Sequence, residues 1–245
     1  MIDAASSVRS VAQSHPGAAR LFALLGIDYC CRAERSLAAA AGTANIDRDE
    51  LIDLLSRRAP EIPPLTDKDW FAAPLTEIAD VIVKNYHRRT RRFLIDLLDL
   101  VDRLSSAHAG TRPELWQLRA TLEELGRDLI PHMAREEQYL FPYIRMLEHP
   151  VAGDVPVIIP LSGSVEYPLQ GIRHDHSHDL EHLAQIRSVG AALMSGDQCG
   201  RLARFIALLA DFDRDLTGHI KLENDVLFPR AVELEGAIAR RKAAT

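Results

Sequence analysis

His132 and Glu136 stand four residues apart, and His219 and Glu223 repeat the pair 87 positions later with similar flanks. The first stretch runs from Asp128 through this pair to Leu140-Phe141-Pro142, and the second runs from Asp215 to Leu227-Phe228-Pro229. On an α-helix a step of four returns a side chain to nearly the same face one turn along, so each stretch projects an imidazole beside a carboxylate. Two such helices packed together bring two imidazoles and two carboxylates to a shared interior. That donor set suits a pair of redox-active first-row metal ions. A ligand pair written twice in the same surroundings is a stronger signal than either copy alone.

Further nitrogen donors are at hand. His87 lies in KNYHRRT, at helical spacing from Val83, Thr90 and Leu94, and so faces inward with them. The run GIRHDHSHDLEH carries His174, His176, His178 and His182. A single histidine is more often a hydrogen-bonded or exposed side chain than a ligand. As a set, interior His and Glu on two or more helices need an ion to compensate their burial. Imidazole with carboxylate and without thiolate suits iron or manganese, whereas structural zinc more often takes cysteine; iron is the expected ion. Asp128 and Asp215, one turn before each repeated histidine, either accept a hydrogen bond from the imidazole or are exposed helix acids.

A second chemistry is offered by Cys30-Cys31, which follows Asp28-Tyr29. Neighbouring α-carbons lie about 3.8 Å apart, closer than a disulfide prefers, so a bond between these two would be strained and easily reduced. With Arg32 beside it to favour thiolate, the pair suits redox change or transient iron capture; two small core residues is the competing reading. Three cysteines make no disulfide framework, and Cys199 reads as structural.

These residues must be positioned by helices. Apolar residues at helical spacing run through Leu75, Ile78, Ile82, Tyr86, Phe93, Leu97 and Leu104, and through Leu115, Leu118, Leu122, Leu125 and Leu129 into His132. A third helix starts near Pro168 and includes Leu180, Leu183 and Ile186, and a fourth carries Leu202, Phe205, Leu209, Phe212 and Leu216 into His219. Strand alternation is absent, so the fold class is all-α: a small helical N-terminal domain over 1–58, a linker over 59–74 and a four-helix bundle over 75–245. Asp47 followed by Glu50 starts a helix ahead of Leu51, Leu54 and Leu55. Pro60, Pro63, Pro64 and Pro74 mark the linker, since proline lacks a backbone donor and restricts its predecessor. An apolar, proline-bearing insertion at 148–167 is expected to pack on the bundle end or on another subunit, which allows a homodimer.

Composition narrows the function. A net charge of −6 without a basic stripe argues against nucleic acid. No apolar run approaches the roughly 20 residues that span a bilayer, and the N-terminus lacks the order of a secretion signal, so a cytoplasmic location and no membrane partner are expected. No Ser-His-Asp order, phosphate-binding glycine loop or dinucleotide fingerprint competes with the metal reading.

The ordering of His87, His132-x-x-x-Glu136, a third-helix histidine and His219-x-x-x-Glu223 resembles hemerythrin-like domains. The segment LLGIDYCCRAERSL resembles the cysteine-pair domain ahead of such a bundle in the repair-of-iron-centres family, of the ScdA or YtfE type. With KDW at 68–70, KNYHRRT, HMAREEQYLFP and GHIKLENDVLFPR, the likeness covers nearly the whole chain. It implies two iron ions with an oxo or hydroxo bridge, bridging carboxylates at Glu136 and Glu223, and terminal imidazoles at His87, His132, His219 and one third-helix histidine. His176 fits that last place with Asp175 as the acid before it; His174 is the alternative, and His178 and His182 fall outside the ligand set. Such a centre leaves about one open position per iron. The resemblance implies repair of iron–sulfur clusters damaged by nitrosative or oxidative stress, by donating iron, with Cys30 and Cys31 expected to relay iron or electrons to damaged iron–sulfur proteins. The family follows its cysteine pair with two glycines where this chain has Arg32-Ala33. Two other readings stay open: an enzyme reducing nitric oxide to nitrous oxide, and a sensor or carrier binding oxygen or nitric oxide.

Overall fold

A computed structural model describes residues 2–15, 18–29, 33–56, 69–108, 110–149, 164–193 and 200–244. Cys30, Cys31, Cys199, most of the expected linker and positions 150–163 of the apolar insertion lie outside the described residues. No strand occurs among the described residues.

The N-terminal unit is built from short helices: α1 (Val8–Ser14), α2 (Ala18–Leu24), α3 (Leu37–Ala44) and α4 (Arg48–Ser56). Ser7 and Ser36 start α1 and α3 by accepting hydrogen bonds from the backbone N–H of Ser10 and Ala39. Asp47 does the same for α4, accepting from the N–H of Asp49 and Glu50 at 3.0 and 2.9 Å. Val8, Phe22, Ile27, Leu37 and Leu51 form its apolar centre.

Four long helices follow. The first is α5 (Leu75–Val81), a π turn (Ile82–His87) and α6 (Arg88–Ala107) in unbroken succession. The second is α7 (Glu114–Arg135), a π turn (Glu136–Leu140) and α8 (Phe141–Glu148); the third is α9 (Glu166–Leu193). The fourth is α10 (Gly200–Lys221), a π turn (Leu222–Leu227) and α11 (Phe228–Ala243). The sequence periodicity does not announce these wider turns. Their signal is the proline that follows two of them: Pro142 and Pro229 cannot donate, and their rings crowd the carbonyls of Gln138 and Asp225 four residues back. A wider turn just ahead relieves that crowding.

Along the bundle axis the interior has three zones. One apolar block gathers Leu94 to Leu104, Leu115 to Met133, Leu183 to Leu193 and Leu202 to Ile220. The other gathers Leu75 to Tyr86, Leu140 to Leu147, Val165 to Ile172 and Leu222 to Ala231. Between them sit His87 of the first long helix, His132 and Glu136 of the second, His176 of the third, and His219 and Glu223 of the fourth. Leu180, expected inside, is 37% exposed, because the buried stripe of α9 runs through Asp179, Leu183 and Ile186 instead.

Two contacts close the structure. Glu148 at the end of α8 accepts from the N–H of Leu75 and of Thr76, both at 2.8 Å, and so serves the first turn of α5, whose own cap position is Pro74. Leu24 of α2 packs on the bundle core against α7, where Gly126 makes room: a Cβ there would come within 2.9 Å of Leu24 Cδ1.

Candidate metal centre

His87, His132, Glu136, His176, His219 and Glu223 are all at most 1% exposed. They fall into two groups sharing both glutamates: His87 and His219 with Glu136 and Glu223, and His132 and His176 with the same two acids. Within each group the candidate ligand atoms all lie within 4.8 Å of one another. Glu136 turns Oε2 toward His87 Nε2 and Oε1 toward His132 Nε2, at 3.4 Å each. Glu223 turns Oε1 toward His219 Nε2 at 3.1 Å and Oε2 toward His176 Nε2 at 3.2 Å. Neighbouring ligands around one ion, with bonds of about 2.1 Å, are separated by roughly 3.0–3.4 Å. Each carboxylate therefore spans both groups, and each histidine pair draws one member from the first two long helices and one from the last two.

The polar atoms inside are poorly served by the protein alone. Both oxygens of Glu136 and of Glu223, and Nε2 of His87 and of His219, are buried without a hydrogen-bond partner. Two buried carboxylates so placed are costly unless a cation compensates them. The residues present fit a pair of metal ions.

Three of the four outward nitrogens are held by residues that spacing did not single out for this role, while Nδ1 of His219 is buried without a hydrogen-bond partner. Glu137 Oε1 takes the Nδ1–H of His87 at 2.6 Å, Asp175 Oδ2 faces His132 Nδ1 at 3.3 Å, and Asn224 Oδ1 faces His176 Nδ1 at 3.1 Å. Such acceptors fix the tautomer with Nε2 free to ligate. Glu137 and Asn224 occupy the same place in the repeated stretches, one residue after each shared glutamate, and that parallel was readable in the sequence. Asp179, three residues beyond His176, is also buried, and burial pushes its carboxyl up to about 6.

Burial opposes charge throughout, yet the mutual attraction of imidazole and carboxylate outweighs it at most positions. Despite burial, Glu136 and Glu137 lift His87 to about 9. Glu136, Asp175 and Glu223 hold His132 well above its ordinary value against the same opposition, and Glu223 and Glu136 raise His176. Only His219 yields to burial and falls. Burial would raise both glutamates, but the imidazoles of His132 and His87 pull Glu136 well below the carboxylate range, and those of His219 and His176 pull Glu223 down. Both acids are thus anionic at neutral pH.

Of the two third-helix candidates, His176 is buried and points into the centre, whereas His174 is exposed and faces His178 on the surface at 3.2 Å. His182 is half-buried beside Glu124. Asp128 is exposed, and Asp215 pairs with Arg89 at 2.5 Å rather than with His219. The repeated aspartates therefore do not orient the repeated histidines directly. Two side chains separate Asp215 from His219: Arg89 lies over the Tyr86 ring at 5.2 Å, and Tyr86 stacks on His219 at 5.5 Å.

Residues 79–231 match the hemerythrin HHE cation binding domain, and residues 4–59 match the ScdA_N domain, described as a domain of unknown function. The chain is 30% identical to the iron-sulfur cluster repair protein YtfE of Musicola paradisiaca, over 94% of this chain and 97% of that one. It is 33% identical to the YtfE of Escherichia coli O1:K1, over 91% and 94%, and 27% identical to a probable iron-sulfur cluster repair protein of Haemophilus influenzae, over 94% and 97%.

Proposed function

Since this chain belongs to the hemerythrin HHE cation-binding family and, with its ScdA_N domain, to the iron–sulfur cluster repair proteins within it, we propose that it holds two iron ions and gives up iron to damaged iron–sulfur clusters. The observation that carries this reading is the sharing of two buried carboxylates between two histidine pairs. Iron bound there supplies a redox-active, exchangeable metal. His87, His132, His176 and His219 would hold it through nitrogen, and Glu136 and Glu223 would serve both ions and offset their charge. Glu137, Asp175 and Asn224 keep the imidazoles of His87, His132 and His176 turned inward. The two apolar blocks above and below exclude water from the centre. Carboxylate and imidazole, without thiolate, hold iron less tightly than a closed sulfur cage, which suits a donor.

Cys30 and Cys31 act in the proposal as the relay between the centre and the client protein. The setting is cytoplasmic, in keeping with a chain in which no described helix is long and apolar enough to cross a membrane.

The test is a [4Fe–4S] enzyme inactivated by nitric oxide or peroxide. Protein reconstituted anaerobically with ferrous iron is expected to hold two irons per chain by Mössbauer spectroscopy and to restore the enzyme. Iron-free protein restores little, and the Cys30→Ser, Cys31→Ser double variant keeps its iron but restores poorly. Equal recovery with iron-free protein overturns the proposal. Release of nitrous oxide on adding nitric oxide would instead mark the enzymatic reading.

A further inference from the structure

A chain of charged side chains, nearly all of it out of water, joins the N-terminal unit to the metal centre. Glu50 belongs to α4 of that unit and is 6% exposed, and Arg91 on α6 is 3% exposed. Arg91 Nη1 donates to Glu50 Oε1 at 3.1 Å, and Arg91 Nη2 donates to Glu137 Oε1 at 2.8 Å. The same Glu137 oxygen accepts the Nδ1–H of His87 at 2.6 Å, while His87 Nε2 faces Glu136. Arg88 adds a looser contact to Glu50 at 3.8 Å.

We propose that Glu50 is a positioning residue for the metal centre, acting from the N-terminal unit through Arg91 and Glu137 on His87. The inference rests on the metal-centre reading above and adds to it the part the N-terminal unit plays. The physical argument concerns who shares the guanidinium. With Glu50 in place, Arg91 divides its planar donors between two carboxylates, and Glu137 keeps enough negative charge to pull on the His87 N–H. That pull fixes the tautomer and strengthens Nε2 as a donor. Without Glu50, the guanidinium closes on Glu137 alone, competes for the oxygen that His87 uses, and loosens one of the two ligand pairs. The effect is one-sided by construction: the acceptors of the other pair, Asp175 and Asn224, have no contact with Glu50 or Arg91. Seating of the N-terminal unit therefore decides how firmly one ion is held and leaves the other alone.

The experiment uses the full chain loaded with cobalt(II), which reports each coordinated imidazole through paramagnetically shifted N–H resonances. A chelator then draws the metal out. In Glu50→Gln the ion held by His87 and His219 is expected to leave about 10- to 100-fold faster, with a moved or broadened His87 N–H, while the other ion keeps its rate. Glu50→Asp, which retains the charge, recovers part of the difference. Should Glu50→Gln fail to fold, Arg91→Lys takes its place, because a point charge cannot hold two carboxylates in one fork, and the same single-ion acceleration is expected. Unchanged release of both ions, or equal acceleration of both, overturns the proposal. A chain that binds no cobalt overturns the metal-centre reading and this inference together, whereas two bound ions indifferent to Glu50 overturn this inference alone.

Discussion

Glu136 and Glu223 each turn one oxygen toward either histidine pair, so neither ion would have a carboxylate of its own. Losing a glutamate and losing a histidine should therefore differ in kind. Glu223→Ala is expected to abolish binding of both ions, whereas His219→Ala keeps about one ion per chain at His132 and His176. Metal analysis after gel filtration checks the ratio, and two ions retained by Glu223→Ala would sink the shared-bridge reading. The repeated His-x-x-x-Glu step made these residues readable in the sequence, because a four-residue step on a helix has one geometric meaning. His87 and His176 needed more, since each stands without a carboxylate at that spacing, and His176 competed with His174 two positions away. What separates these two is burial. A shift of two positions on a helix turns the side chain about 200°, from solvent to interior. Glu137 and Asn224 share a place in the repeated stretches, but their partners and that of Asp175 lie on other helices, and pairing across helices leaves no spacing signal that tells what each one holds.

At the scale of the elements, the long helices were legible from apolar periodicity, while the π turns inside them were not. A one-residue widening turns the buried stripe by about 100°, but the apolar positions on either side are too few to fix the phase before and after it, and only Pro142 and Pro229 betray it. Nor could the capping of α5 be seen, because its acceptor comes from the far end of α8. Burial alone would raise the Glu148 carboxyl, but the N–H groups of Thr76 and Leu75 hold it below its ordinary value of 4.5. A depressed acid contributes stability above its unfolded pKa and loses it as pH falls through the folded value. Glu148→Gln is accordingly expected to lower Tm at neutral pH, with the gap to the unaltered protein closing below about pH 4. A gap that persists undiminished at pH 3 in thermal melts would show that the charge is not what matters at this cap.

The whole molecule is a bundle whose interior is interrupted by a charged layer between two apolar blocks. Its stability is then expected to follow metal occupancy. One ion at about 1,000 times its Kd adds roughly 4 kcal/mol, or roughly 8–16 °C in Tm for a chain of this size. Chelation should lower Tm by at least that much in calorimetry, and equal melting with and without metal would contradict the centre's role in the fold. The sequence revealed the bundle but not this layering, which depends on where four separate helices stop and start relative to one another.

That layering has a further effect on assembly. Leucine-rich helices are nearly indifferent to sliding past one another by a turn, because one Leu replaces another at little cost. A slip of about 5.4 Å at any of the four would thrust a glutamate or an imidazole into hydrocarbon and strand its partners. The charged belt thus works as a key in a lock along the axis, admitting one vertical alignment of the helices, much as a lone buried asparagine sets the pairing of a coiled coil.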